Sequence, residues 1–210
     1  MKILLFDKPE CPFCWKNRAA LFFKGLSYET ITVDTNNKPA RLIELSSTGK
    51  VPLMLADTRV IDDSSAIMQW LEQYPPSLYP AEKSGEADAA WLENFSDKVI
   101  GPRIRDQIFM RRSEPVHKWD QTVTNRCQRA WSTTLDELES KCSDNGSWFL
   151  GDNPSVADCA LGARFSLATF YGLTGIEQRK KLCQWFDYWI TSGVMEATAP
   201  DHIQKVLRSS

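Results

Sequence analysis

Histidine is scarce in this chain: His117 and His202 are the two in 210 residues. They stand in polar surroundings far apart in sequence, so imidazole chemistry and a histidine-rich metal site have little to build on. Long hydrophobic runs are missing too. The opening run Ile3-Leu4-Leu5-Phe6 ends at Asp7, too short for a secretory signal. No stretch approaches the roughly 20 apolar residues of a membrane span. Nor is there an excess of charge of one sign, since the net charge is −2. A nucleic-acid binder needs a basic face for phosphate contacts, so neither nucleic acid nor membrane is expected as a partner. The expected location is cytoplasmic.

Six cysteines are present, at 11, 14, 127, 142, 159 and 183. Scattered in this way, and in the reducing compartment expected here, they do not form a disulfide framework. Apolar residues make up 42% and charged ones 25%, the balance of a globular protein with room for one large domain or two small ones.

Hydrophobic periodicity divides the chain. Lys2–Phe6 reads as a buried strand, 12–24 as a helix stopped by Gly25, and the alternating YETITV at 28–33 as a second strand. A short helix at 39–45, strands at 53–56 and 59–61, and a helix at 64–73 follow, giving β-α-β-α-β-β-α over about 75 residues. The segment YPPSLYPAEKSGE at 74–86 carries three prolines and a glycine and reads as a linker. Beyond it the period is helical: 87–108, broken at Gly101-Pro102, then 116–142, 157–171, 176–191 and a tail from Pro200. The expected organisation is an α/β domain at 1–75, a linker at 76–86 and an all-α domain at 87–210. Ser155 and Asp158 form a near-capping box ahead of the 157–171 helix, a folding signal more than a catalytic one.

The chemistry concentrates at PECPFCW, residues 9–15. A zinc site needs a second pair of ligands, and none stands at the right spacing, so no metal is expected. Pro12 suits the first helical turn because its missing N–H would be unpaired there. Cys11 then falls at the N-cap, facing free amides and the positive helix end, which favour the thiolate. A drop of about three pKa units would make Cys11 almost fully ionised at pH 7. Cys14, one turn deeper, should stay neutral as a resolving thiol. A Cys-x-x-Cys beside a βαβ pattern is the context of thioredoxin-like redox motifs.

Five stretches in order carry a family resemblance: CPFC at 11–14, VDTNNKPARL at 33–42, GKVPLML at 49–55, DSSAI at 63–67 and FLGDNPSVADCAL at 149–161. Together they resemble the cytosolic glutathione transferases over nearly the whole chain, and most the cysteine-type members: omega class, dehydroascorbate reductases and two-domain glutaredoxins. The resemblance implies the glutathione transferase fold, a thioredoxin-like N-terminal domain followed by an all-α C-terminal domain. It implies glutathione as co-substrate, bound by Phe13, Lys38, Val51, Pro52, Asp63 and Ser64. Val51 would pair its backbone with the cysteinyl unit, Pro52 would be the family's cis-proline, and Asp63 and Ser64 would hold the γ-glutamyl end at a helix start. Lys38 would meet the glycyl end or the thiolate. The second partner would be a small disulfide, oxidised or electrophilic substrate, walled by residues around Ile100–Phe109. The aromatic stripe Trp185, Phe186 and Trp189 also offers a wall, but its spacing reads more readily as core. A homodimer is compatible with the family.

The implied activity is glutathione-dependent thiol transfer or reduction through Cys11, with Cys14 able to resolve the adduct. Conventional conjugation and a non-catalytic protein of the same fold are the alternatives. Departures from the family pattern bear on the choice: many omega-class members lack the second cysteine, and Asp63 is shorter than the commoner Glu or Gln.

Overall fold

A computed structural model describes residues 1–46 and 48–209. A four-stranded sheet runs β2-β1-β3-β4, with β1 at Ile3–Asp7, β2 at Glu29–Thr32, β3 at Leu53–Ala56 and β4 at Arg59–Asp62. β1 and β2 are parallel, so helix α1 (Pro12–Phe23) crosses over between them. β3 is antiparallel to both β1 and β4.

Strand alternation distributes the core. Ile3 and Leu5 join α1 and α3 (Ser64–Leu71) in the main cluster, with Trp15, Ile67 and Met54. Leu4 and Phe6 point the other way, onto Leu42 of α2 (Ala40–Leu45). One strand thus serves two layers because its side chains alternate across the sheet.

The rest is helical. α4 (Lys83–Phe95) passes through a wide π turn, Ser96–Ile100, into α5 (Gly101–Ser113). The sequence predicts a break at Gly101-Pro102, but the structure keeps the chain helical through it. Gly101 N–H bonds the Ser96 carbonyl, five residues back. The widened turn accommodates a proline that lacks an N–H and would crowd the carbonyl four residues before it. α4 also begins at Lys83, inside the segment that reads as linker. The 116–142 pattern resolves into a short 3-10 turn at 116–118 and α6 (Gln121–Glu139). Asp120 separates them by capping Thr122 N–H at 2.7 Å. α7 (Val156–Phe170), α8 (Lys180–Thr191), α9 (Val194–Thr198) and α10 (Asp201–Leu207) complete the chain.

The two halves share α1. From Cys14 to Leu21 every residue of it is buried, because α3 covers one side and α7 and α9 another. Trp15 Nε1 donates to Thr198 Oγ1 at 3.0 Å, and Arg18 Nε to the Thr198 carbonyl at 2.9 Å. The capping box forms at the head of α7. Asp158 is buried; its Oδ2 accepts the Ser155 N–H at 2.8 Å, and its Oδ1 accepts the Phe149 N–H and Trp185 Nε1, both at 2.8 Å. Trp185, Phe186 and Trp189 are core, as their spacing favours: Trp189 is fully buried and donates to Ser166. No helix among the described residues is long and apolar enough to cross a membrane.

Candidate active site

Cys11 is the N-cap of α1, with extended backbone (φ −81°, ψ 119°) and Pro12 at the first helical position. Its N–H is anchored on the Lys8 carbonyl at 2.8 Å. The residue is half-buried and opens on a cavity of about 300 Å³. Cys14 is fully buried, and its sulfur accepts the Lys8 N–H at 3.4 Å.

The two thiols divide their roles by environment. The Cys14 thiol hydrogen-bonds the Cys11 sulfur, and against burial this bond, the amides of Cys14 and Phe13 and the charge of Arg164 lower Cys11 to about 7. Cys14 moves the opposite way, well above its ordinary value, through burial, the same hydrogen bond and the charges of Cys11 and Asp7. The sequence expects helix-end amides to dominate and near-complete ionisation. Instead the first contributor is the Cys14 thiol, and Cys11 makes no side-chain capping bond. With a pKa of about 7, roughly half the sulfur is thiolate at neutral pH.

A second cavity of about 400 Å³ adjoins the first; Phe13 and Asp97 line both. Val51, Pro52, Asp63 and Ser64 all line this second space. The Val51–Pro52 peptide is cis. No hydrogen bond occupies the Val51 N–H or C=O among the described residues. Asp63 caps α3, its Oδ1 accepting the Ser65 and Ala66 N–H groups at 2.8 and 3.1 Å. Ser64 is buried, and its carbonyl accepts Asn17 Nδ2 at 3.0 Å. Lys38 is the exception among the sequence-derived residues. It is exposed, lines neither cavity, and lays its ammonium beside Gly49, 3.3 Å from where a Cβ there would be. The first cavity takes Ile108 and Phe109 from α5, within the segment expected to wall the second substrate; the tryptophan stripe of α8 does not reach it.

Several residues of the site lie outside the sequence reading. Lys16 is fully buried on α1 with its Nζ 2.7 Å from Glu93, 2.6 Å from Asp97 and 3.4 Å from Ser65 Oγ. Arg164, from α7, lies 3.5 Å from the other Asp97 oxygen. Arg18 pairs with Asp7 and donates to the Pro9 carbonyl at 2.7 Å, tying down the loop that carries Cys11. Beside Cys11, Glu10 accepts from the Tyr171 hydroxyl at 2.5 Å, from Arg112 at 2.8 Å and meets His202 at 2.9 Å. Burial opposes the Glu10 charge, yet Tyr171, Arg112 and His202 hold its carboxyl below the ordinary value. Lys16, Asn17 and Arg18 in a row could have flagged the network: at about 100° per residue they spread over roughly 200° of the helix surface, so a helix packed on two sides cannot turn all three to solvent. His202 carries no such signal; its partner is 192 positions away.

Among the described residues no group of three or more His, Cys, Asp or Glu side chains is placed to hold a metal. The second cavity has the size and donor set for a small peptide: an unpaired backbone edge at Val51, a helix start at Ser64, and charged groups Lys50, Lys98, Glu93 and Asp97 around it.

The sequence profile described as "Glutathione S-transferase, N-terminal domain" matches residues 10–73, and that described as "Glutathione S-transferase, C-terminal domain" matches residues 121–187. The Caenorhabditis elegans protein named probable maleylacetoacetate isomerase is 38% identical over 151 residues, 70% of this chain and 70% of that protein. The Arabidopsis thaliana protein named "Glutathione S-transferase DHAR3, chloroplastic" is 27% identical over 158 residues, 74% of this chain. The match spans about half the length of such chloroplastic plant relatives, 54% and 51% in two of them. Among solved structures, a glutathione S-transferase from Methylobacterium radiotolerans in complex with glutathione sulfonate superposes with TM-score 0.78 at 23% identity, covering 95% of each chain. That likeness carries the fold.

Proposed function

The chain belongs to the glutathione S-transferase family, and from that premise we propose that it is a glutathione-dependent thiol transferase acting through Cys11. The observation that carries this reading is a half-buried thiol lowered to about 7 beside a cavity with Ile108, Phe109 and Leu167 on its wall. The adjoining polar cavity offers an unpaired backbone edge.

Glutathione lies in the second cavity in this reading. Val51 pairs with its cysteinyl unit along the edge before Pro52, Asp63 and Ser64 take the γ-glutamyl end, and Phe13 sits between the cavities. Lys38 reaches the glycyl end only if its side chain leaves Gly49. The Cys11 thiolate attacks the glutathionyl sulfur of a mixed disulfide. That S–S bond breaks, the substrate leaves as a thiolate that takes up a proton, and Cys11 becomes glutathionylated. A second glutathione thiolate attacks the glutathionyl sulfur, releasing glutathione disulfide and regenerating the Cys11 thiolate. Cys14 offers another exit: once deprotonated, it attacks Cys11 to form the internal disulfide and release glutathione. Burial and the neighbouring Asp7 keep the Cys14 thiol protonated, so this route waits on its deprotonation. The partners are glutathione and a small disulfide, oxidised or electrophilic molecule, and the family's homodimer is part of the same proposal.

Turnover of a glutathionylated peptide tests this: Cys11→Ser abolishes it, whereas Cys14→Ser keeps a monothiol route. Full activity in Cys11→Ser would refute the assignment. The 38% identity to an isomerase-named relative favours a second reading, glutathione-dependent isomerisation. Turnover of a cis-configured diketo acid by wild type and Cys11→Ser, set beside hydroxyethyl disulfide reduction, separates the two.

A further inference from the structure

The wall of the Cys11 cavity holds a cation that thiol exchange by itself does not require. Arg164 is 6% exposed and lines the cavity together with Cys11. Its nearest carboxylate oxygen, on Asp97, is 3.5 Å away. That carboxylate is already held by Lys16 at 2.6 Å. The Arg164 Nε is buried and donates to nothing among the described residues. A guanidinium offers five N–H donors in a fixed fork; among the described residues they have one long, shared acceptor.

The surroundings hold this group in place. An ideal Cβ on Gly101 would stand 3.0 Å from Arg164 Cζ and Nη2, so a side chain there would crowd the guanidinium, which lies against α5. The Phe13 ring flanks it, with its centroid 5.0 Å from Cζ. Ile108, Phe109 and Leu167 make other parts of the same cavity apolar. The other cations on this wall, Lys8, Arg105 and Arg112, reach Thr35, Asp106 and Glu10 at 3.0, 3.6 and 2.8 Å, so it is the buried, under-paired guanidinium of Arg164 beside the apolar part of the pocket that discriminates for planar anions. A carboxylate meets two of its donors at once, whereas a neutral isostere leaves them poorly matched.

We propose that this cavity binds a small carboxylate-bearing co-substrate, its carboxylate paired with Arg164, its apolar body against Ile108, Phe109 and Leu167, and its reacting atom presented to Cys11. The proposal rests on the reading of Cys11 as the reacting sulfur. Arg164 is then a specificity residue, and the preference it confers is for charge rather than for size.

The test compares 3,3′-dithiodipropionate with its neutral diamide, both as disulfide substrates with glutathione, after subtraction of the uncatalysed exchange. The kcat/KM ratio of anionic to neutral disulfide is expected to exceed about ten in the native enzyme. In Arg164→Gln that ratio should fall about tenfold, and Arg164→Lys should restore part of it. Any effect of Arg164 on the Cys11 thiolate applies to both substrates and cancels in the ratio. A ratio near one in the native enzyme, or a ratio unchanged in Arg164→Gln, overturns the proposal. If neither disulfide turns over, thiol transfer fails as the activity, and binding decides the cavity. Tryptophan-fluorescence titration with 3-phenylpropionate and 3-phenylpropionamide should then show tighter binding of the acid to the native protein, lost in Arg164→Gln. Equal binding of acid and amide overturns the carboxylate site. Circular dichroism of both variants reports whether they fold.

Discussion

The Lys16 ammonium lies 2.6 Å from an Asp97 carboxylate oxygen, with the two side chains 1% and 10% exposed. The lysine comes from the first helix of the α/β half and the aspartate from the π turn of the helical half. This contact, with Glu93 at 2.7 Å, fastens the two halves directly beneath the cavities.

Lys16→Ala should therefore be severely destabilising. It leaves Glu93 and Asp97 facing each other with Arg164 as the remaining nearby cation, and breaking a buried ion pair from one side costs about 3–5 kcal/mol. Urea denaturation of the full chain measures it. A loss below about 1 kcal/mol would mean that water reaches the cluster and the pairing is weak.

The Cys11 thiol should show its own ionisation in its reactivity. Its pKa is lowered to about 7, so the rate of iodoacetamide alkylation should rise with pH through that value and level off about one unit above it. The sign follows from the thiolate being the nucleophile: acidifying below 7 protonates the sulfur and slows the reaction about tenfold per unit. A midpoint near the ordinary 8.5–9 range would contradict the environment described.

Cys14→Ala should raise that midpoint. The Cys14 thiol is the first contributor lowering the Cys11 value, and alanine removes the donor without adding charge. The same alkylation profile should move towards the ordinary thiol value, while mass spectrometry shows a single modified cysteine at position 11 at early times. An unmoved midpoint would shift the credit to the amides of α1.

Thr198→Val probes the seam between the halves at a second point. The Thr198 hydroxyl accepts from Trp15 Nε1 at 3.0 Å and donates to the Val194 carbonyl at 2.6 Å. Valine keeps the shape and orphans a buried indole N–H, which costs about 1–3 kcal/mol. Thermal unfolding followed by tryptophan fluorescence should report the drop, and Thr198→Ser should recover most of it.

How much of this was legible beforehand follows the range of the forces involved. The sheet strands, α1 and the Ser155–Asp158 box depend on nearest neighbours in sequence, and each appears where periodicity and capping place it. Gly101-Pro102 shows the limit of such local reasoning. Proline breaks an ordinary helical register, but a five-residue π turn absorbs it, and the same turn carries Asp97 to the charge cluster. The placement of Lys38 has the same character: a loop motif gives its neighbourhood, whereas the packing of its chain over Gly49 is a tertiary contact.

By itself, then, the amino-acid order determined the succession of elements, the N-cap position of Cys11 and the depth of Cys14, because helix capping, strand alternation and proline geometry act within a few residues. Tertiary structure alone decided that Lys16, Glu93, Asp97 and Arg164 meet, that Glu10 gathers Tyr171, Arg112 and His202, and that Arg164 keeps donors to spare beside Cys11. Lys16 stands 77 residues from Glu93 and 81 from Asp97, and His202 stands 192 from Glu10. Charges so distant attract only once the chain has excluded water between them, and what excludes it is the packing of α1 against α7.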